Sequence, residues 1–247
     1  MSDPGAQRSP AHRIGFFGGS FDPPHLGHLA VARAAMEALS LQTVLFAPVG
    51  AQPLKPFGSS ASFQDRLAMT ALAIANDPGF VLSPVDAPKP TGTPNYTLET
   101  LRALRAELPS GCELYSLMGA DAFFGLRRWH RAAEIPFAAT LVVASRPGEC
   151  LEDLEAALPV GLTIQLLPDP DSLSKSSFSV EPAPALRSYI LRNPAGESAL
   201  FYLLPDLEVE ISASQIRAEL SAGVENRPIS LLPQAVSAYI RAHGLYR

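Results

Sequence analysis

Hydrophobic and polar positions follow two rhythms along this chain, and the changes of rhythm mark its elements. Arg13–Gly19 (RIGFFGG) is a short apolar run ending in a glycine pair, the pattern of a strand running into a tight turn. From Leu26 to Leu39, the apolar residues Leu26, Leu29, Ala32, Met36 and Leu39 recur at helical spacing. Thr43–Val49 (TVLFAPV) is again a buried-strand pattern. Ser62, followed by Asp65, is a capping signal for a helix reaching about Ala75. A short strand at Val81–Ser83, a helix from Thr97 to Leu108 and a strand at Glu113–Met118 follow. Next come a short helix near Trp129–Ile135 and a strand at Thr140–Ser145.

Strands alternating with helices predict an α/β fold of parallel βαβ units, with helices on both faces of one sheet. Ligands bind such sheets at the carboxyl ends of the strands, near a topological switch point. That places the functional loops just after Phe17, Val49 and Met118. Asp169–Pro184, rich in Ser, Pro and Asp, reads as a surface loop. Leu200–Leu204 reads as a last strand, and Ile211–Ser221 and Leu231–His243 as two closing helices. No internal repeat interrupts the pattern. Residues 1–12 read as a tail, and 13–247 as a single domain.

Composition narrows the function. Hydrophobic residues make up 47% of the 247 and charged residues 17%, ordinary for a globular chain. A net charge of −5 argues against a general nucleic-acid binder, which carries a basic face. It leaves room for a small anionic ligand, which a few arginines and a helix N-terminus can hold locally. Cys112 and Cys150 have no CxxC or metal-ligand spacing and read as reduced thiols. The polar start lacks the apolar core of a signal peptide, and no run of about 18 apolar residues exists. A cytoplasmic protein without a membrane partner is expected. The oligomeric state is left open, a homo-oligomer included.

The strongest chemical signal is Gly18-Gly19-Ser20-Phe21-Asp22-Pro23-Pro24-His25-Leu26-Gly27-His28. A strand ending in two glycines lets backbone approach a ligand closely. The chain then turns into a helix whose first residues bring His25 and His28 to one face, beside the positive end of the helix dipole. This combination suits a polyphosphate. The segment resembles the signature of the HxGH nucleotidyltransferase superfamily, whose members transfer AMP or CMP from a nucleoside triphosphate. The resemblance implies a Rossmann-like, doubly wound parallel sheet with C-terminal helices. It also implies that both histidines hold the triphosphate without ligating metal. Gly18, Gly19, Ser20 and Phe21 would lie along the phosphates.

A second segment, Ile211-Ser212-Ala213-Ser214-Gln215-Ile216-Arg217, resembles the ISSTxIR motif of that superfamily. Ser212 and Ser214 can cap a helix and offer hydroxyls, with Arg217 on the face of Ser214. Ala213 departs from the motif and removes one hydroxyl. Three further stretches resemble the bacterial nicotinate mononucleotide adenylyltransferases. Asn95-Tyr96-Thr97 resembles the YT element that binds the pyridine carboxylate, where a plain Thr N-cap is the alternative. Gly119 and Asp121, followed by Trp129 and His130, resemble a GxD…W arrangement. It implies that Asp121 holds ribose hydroxyls and Trp129 stacks on the pyridine; core packing is the alternative for Trp129. Arg146 belongs to an RPG stretch at the expected site mouth, and Gly244–Arg247 resembles the family's chain end. Where the family reads PPHK, this chain reads Gln52-Pro53-Leu54-Lys55. Lys55 fits a phosphate ligand or a surface lysine, but Leu54 cannot replace an imidazole.

The resemblance runs from Ile14 to Arg247, with 169–184 poorly matched. It implies adenylyl transfer from ATP to nicotinate mononucleotide, giving nicotinate adenine dinucleotide and pyrophosphate in NAD biosynthesis. Mg²⁺ would come with ATP, held mostly by phosphates and water. Two alternatives remain. One is another transferase on the same scaffold, such as a phosphopantetheine or nicotinamide mononucleotide enzyme. The other is a non-catalytic nucleotide-binding module.

Overall fold

The computed structural model describes residues 12–54, 58–145, 151–168, 186–204, 207, 211–223 and 230–247. Its elements run β1 (Arg13–Gly19), α1 (Leu26–Leu39), β2 (Thr43–Pro48), α2 (Phe63–Ile74), β3 (Phe80–Leu82), α3 (Thr97–Glu107) and β4 (Glu113–Gly119). Then come α4 (Ala120–Phe124), α5 (Ile135–Ala138), β5 (Thr140–Ala144), α6 (Leu151–Ala157), β6 (Thr163–Leu166), β7 (Arg187–Arg192) and β8 (Ser198–Leu204). Helices α7 (Ala213–Ser221) and α8 (Gln234–His243) close the described chain.

The strands form one sheet in the order β3-β2-β1-β4-β5-β8-β7-β6. From β3 to β8 every neighbouring pair is parallel. Beyond β8 the sheet adds two antiparallel strands, β7 on β8 and β6 on β7. The far edge therefore departs from the parallel pattern that the alternation predicts. The strand order reverses between β1 and β4, so the carboxyl ends of these two strands flank the switch point.

Buried side chains fall into two clusters, one on each face of the sheet. Phe16, Leu114, Leu141 and Val143 point into the cluster that also takes Leu98, Leu101 and Leu104 of α3. Their chain neighbours Phe17, Tyr115 and Val142 point the other way, to Leu29 and Ala32 of α1, Met69 of α2, Ile216 of α7 and Val236 of α8. The period of two along the strands creates both cores at once. No helix among the described residues is long and apolar enough to cross a membrane.

Local signals place most boundaries. Ser62 caps α2, its hydroxyl accepting from the Asp65 amide at 3.1 Å. The helix expected near Trp129–Ile135 is instead two 3-10 turns, Leu126–Arg128 and Ala132–Glu134, followed by α5. The last helix starts at Gln234 rather than Leu231, because Pro233 stands at its N-cap. Residues 1–11 of the tail read over 1–12, and the whole of the loop read over 169–184, lie outside the described residues.

Candidate active site

The carboxyl ends of β1 and β4 open into a cavity of about 770 Å³. Its lining draws on Gly18, Gly19, Ser20, His25 and His28 of the first motif, and on Ser212 and Ala213 of the second. It also takes in Tyr96, Thr97, Gly119, Asp121, Trp129 and His130. Segments far apart in sequence therefore meet in one space of ordinary ligand-site size.

His25 is the N-cap of α1, and its backbone amide donates to Nδ1 of His28 at 3.1 Å. An Nδ1 that accepts a hydrogen bond fixes the neutral His28 tautomer with its proton on Nε2, a donor for a ligand oxygen. The two imidazoles stack with centroids 3.7 Å apart. Burial lowers the His25 pKa from 6.5 to about 4. Burial, and then the neighbouring His25, hold His28 well below its ordinary value. Both rings are thus neutral near pH 7. Nδ1 of His25 is buried and has no hydrogen-bond partner among the described residues. The first amide of α1, Leu26 N, is committed to the Leu231 carbonyl at 2.9 Å.

Phe21 holds a left-handed backbone, φ 47°, while its side chain is only 1% exposed. Such a conformation costs about 1–3 kcal/mol and persists where the surroundings over-determine it. Here Phe17, Phe46 and His28 pack around the ring, with centroids 4.9–5.7 Å away. Phe21 shapes the loop from below; it is not among the residues that line the cavity.

Beneath the loop, Asp22 is 2% exposed. Its carboxylate accepts from the amides of Ser60 and Ala61 at 2.7 and 3.0 Å and from the Tyr246 hydroxyl at 2.8 Å. Arg217 donates through Nη1 to the Asp22 carbonyl at 2.6 Å and through Nη2 to Ser214 Oγ at 3.1 Å. Arg66, itself buried, donates to the Ser20 carbonyl at 2.7 Å. Arg217 and Ser214 therefore clasp the loop from outside the lining, whereas Ser212, the N-cap of α7, lies on it. Asp22 stands in the first motif and Tyr246 in the chain end, but neither has an individual role in the sequence reading, and Arg66 lies in no motif; their contacts show what they hold.

At the other end, Tyr96 is the N-cap of α3 and Thr97 its first residue, so Thr97 is not the cap. The His130 ring packs on Tyr96 with centroids 4.4 Å apart. Trp129 is half-buried: it lines the cavity and also packs against the core on that side. The indole thus faces the cavity on one side and the core on the other. Gly119 caps α4, and Asp121 lies exposed in that helix's first turn. Asn95 braces the wall, accepting from Ala51 N at 3.0 Å and donating to the Ala87 carbonyl at 3.1 Å. Leu54 lines the cavity, half exposed. Lys55 and Arg146 lie outside the described residues.

Residues 16–219 match the cytidylyltransferase-like family. The chain belongs to that family. A probable nicotinate-nucleotide adenylyltransferase of Gloeobacter violaceus is 35% identical over 95% of this chain and 96% of its own length. One of Aeromonas hydrophila is 38% identical over 95% of this chain and 97% of its own. Among solved structures, the fold is similar to the Plasmodium falciparum nicotinic acid mononucleotide adenylyltransferase complexed with NaAD. The TM-score is 0.67 and the identity 16%, over 95% of this chain and 97% of that one. In this nucleotidyltransferase family member, the first and second motifs and the YT element all border one cavity.

Proposed function

We propose that this chain transfers AMP from ATP to nicotinate mononucleotide, releasing pyrophosphate and forming nicotinate adenine dinucleotide. The observation that carries the proposal is the joining, in one cavity, of a phosphate end and a ring end. His25, His28, Gly18 and Gly19 form the first; Tyr96, Thr97, Trp129 and His130 form the second. Relatives of near-equal length named for this activity support the same reading.

An oxygen of the acceptor phosphate attacks the α-phosphorus of ATP. The new P–O bond forms as the bond to the β-phosphate bridging oxygen breaks, and pyrophosphate leaves with that electron pair. A phosphate monoester is largely ionised near pH 7, with a second pKa of about 6, so no strong general base is needed. The chain's work is alignment and charge stabilisation. The Nε2 proton of His28 is placed to meet a phosphoryl oxygen, with the glycine backbone beside it. Mg²⁺, as part of the ATP substrate and held mostly by phosphates and water, would supply charge neutralisation on the pyrophosphate. At the ring end, the amides that open α3 and the Thr97 hydroxyl suit a carboxylate better than a carboxamide.

Incubation with ATP and each acceptor, read by pyrophosphate release and product mass, tests the proposal. Nicotinate mononucleotide is expected to exceed nicotinamide mononucleotide in kcat/KM by at least about tenfold, or roughly 1.4 kcal/mol. Equal efficiencies would remove the basis for the acid acceptor. Turnover with neither would defeat the proposal outright.

A further inference from the structure

Asp86 lies between β3 and α3, outside every motif the sequence offers, and is 4% exposed. It nevertheless lines the cavity. Its backbone is fixed, the carbonyl accepting from Gly50 N at 2.7 Å. One carboxylate oxygen, Oδ1, takes the Thr100 hydroxyl. The other, Oδ2, accepts no hydrogen bond among the described residues. Burial raises the Asp86 pKa, against the opposing pull of the Thr100 hydroxyl and Lys89. Oδ2 is not among the fully buried unpaired atoms of the described residues, so on the cavity lining it is open to a donor from a ligand.

Its position defines which part of a ligand it can meet. Oδ2 stands 3.8 Å from the point where a Cβ on Gly18 would lie, next to the phosphate loop. Oδ1 is bonded to Thr100, one turn into the helix that Tyr96 and Thr97 open. Asp86 therefore bridges the phosphate end and the ring end of the cavity. In a mononucleotide, the sugar joins phosphate to ring, and its two free groups are the vicinal 2′- and 3′-hydroxyls. Both are donors, and a carboxylate oxygen is an acceptor.

We propose that Asp86 is the residue that binds the ribose hydroxyls of the acceptor mononucleotide and makes the site selective for ribose over deoxyribose. The inference rests on the acceptor reading given above. It assigns the acceptor sugar to a residue separate from Asp121, which lines the same cavity from the first turn of α4.

The test compares nicotinate mononucleotide with its 2′-deoxy and 3′-deoxy analogues, on the wild type, Asp86→Asn and Asp86→Ala. The wild type is expected to prefer the ribonucleotide by at least tenfold in kcat/KM over one or both analogues. Asp86→Ala is expected to bring that ratio within threefold of unity, raising acceptor KM while ATP KM stays within twofold. Asp86→Asn, which keeps an acceptor oxygen, is expected to fall between. Thr100 Oγ1 also reaches the Tyr96 carbonyl at 3.4 Å, so removing the carboxylate leaves that hydroxyl an acceptor within the fold. A wild type indifferent to both deoxy analogues overturns the proposal, whatever the variants do. An unchanged ribo-to-deoxy ratio in either folded variant also overturns it, as does a rise in ATP KM alone, which would assign Asp86 to the triphosphate. Absence of turnover with nicotinate mononucleotide itself would defeat the acceptor reading first, and this proposal with it.

Discussion

Replacing Asp22 by alanine should cost this protein much of its stability, although the residue bears no part in the transfer itself. The carboxylate is 2% exposed and takes three hydrogen bonds, from Ser60 N, Ala61 N and the Tyr246 hydroxyl. Truncation leaves two amides and a phenol with no acceptor at that point. It also removes the anion nearest two cations, Arg66 and Arg217; Arg217 Nη1 lies 3.9 Å from Asp22 Oδ2. Removing one partner of a buried ionic cluster costs about 3–5 kcal/mol. For a chain of this size, that corresponds to a fall in Tm of roughly 6–20 °C. Tyr246→Phe deletes one of the three bonds and leaves the two amides paired. Its cost should sit near the low end for a bond to a charged group, about 1.5 kcal/mol. Urea unfolding of the wild type and both variants measures the two costs, and pyrophosphate release well below Tm measures ATP KM. The Asp22→Ala loss should exceed the Tyr246→Phe loss by at least about 1.5 kcal/mol. An Asp22→Ala protein within about 1 kcal/mol of wild type would refute the cluster as a source of stability.

Three other outcomes follow from the site. His28→Ala should lower kcat by about 10²-fold, the scale of one lost transition-state donor, with little change in Tm; a kcat within threefold of wild type would show that the ring does not act there. Trp129 is the sole tryptophan, so saturating acceptor should quench its emission. Trp129→Ala should raise acceptor KM at a stability cost below the roughly 3–5 kcal/mol of a fully buried aromatic, and emission unmoved by acceptor would count against stacking. His25, with its pKa lowered from 6.5 to about 4 by burial, stays neutral when folded but gains a proton in the unfolded chain below 6.5. Stability should therefore fall as pH drops from 6.5 towards 4, by roughly 3 kcal/mol from this group. Urea midpoints that fall as steeply in His25→Gln would reject that source.

What the sequence shows by itself depends on how local each cause is. The β1–loop–α1 unit is legible because its apolar run, glycine pair and helical spacing all lie within Arg13–Leu39. The Ser62 cap is legible for the same reason. The antiparallel strands β6 and β7 escape notice because β6 is mostly exposed and β7 begins and ends in arginine, so neither shows a clean apolar signature. Trp129 could not be assigned from spacing because it sits after a 3-10 turn, where no helical face is defined. Within the site, the motif residues declare themselves, but the groups that hold them do not. Arg66, Tyr246 and Asp86 gain their meaning from contacts across the fold, and only Tyr246, in the chain end, stands in a stretch the sequence singles out. Two sequence expectations, Lys55 and Arg146, fall outside the described residues.

The clasp between Arg217 and the Asp22 carbonyl joins residues 195 positions apart. A ribosome adding about 5–20 residues per second therefore exposes the Asp22 loop roughly 10–40 s before its partner arginine is made. Through that interval the nascent chain carries both histidines but lacks the arm that holds their loop in place. The corner that carries His25 and His28 therefore takes its final form only late in translation.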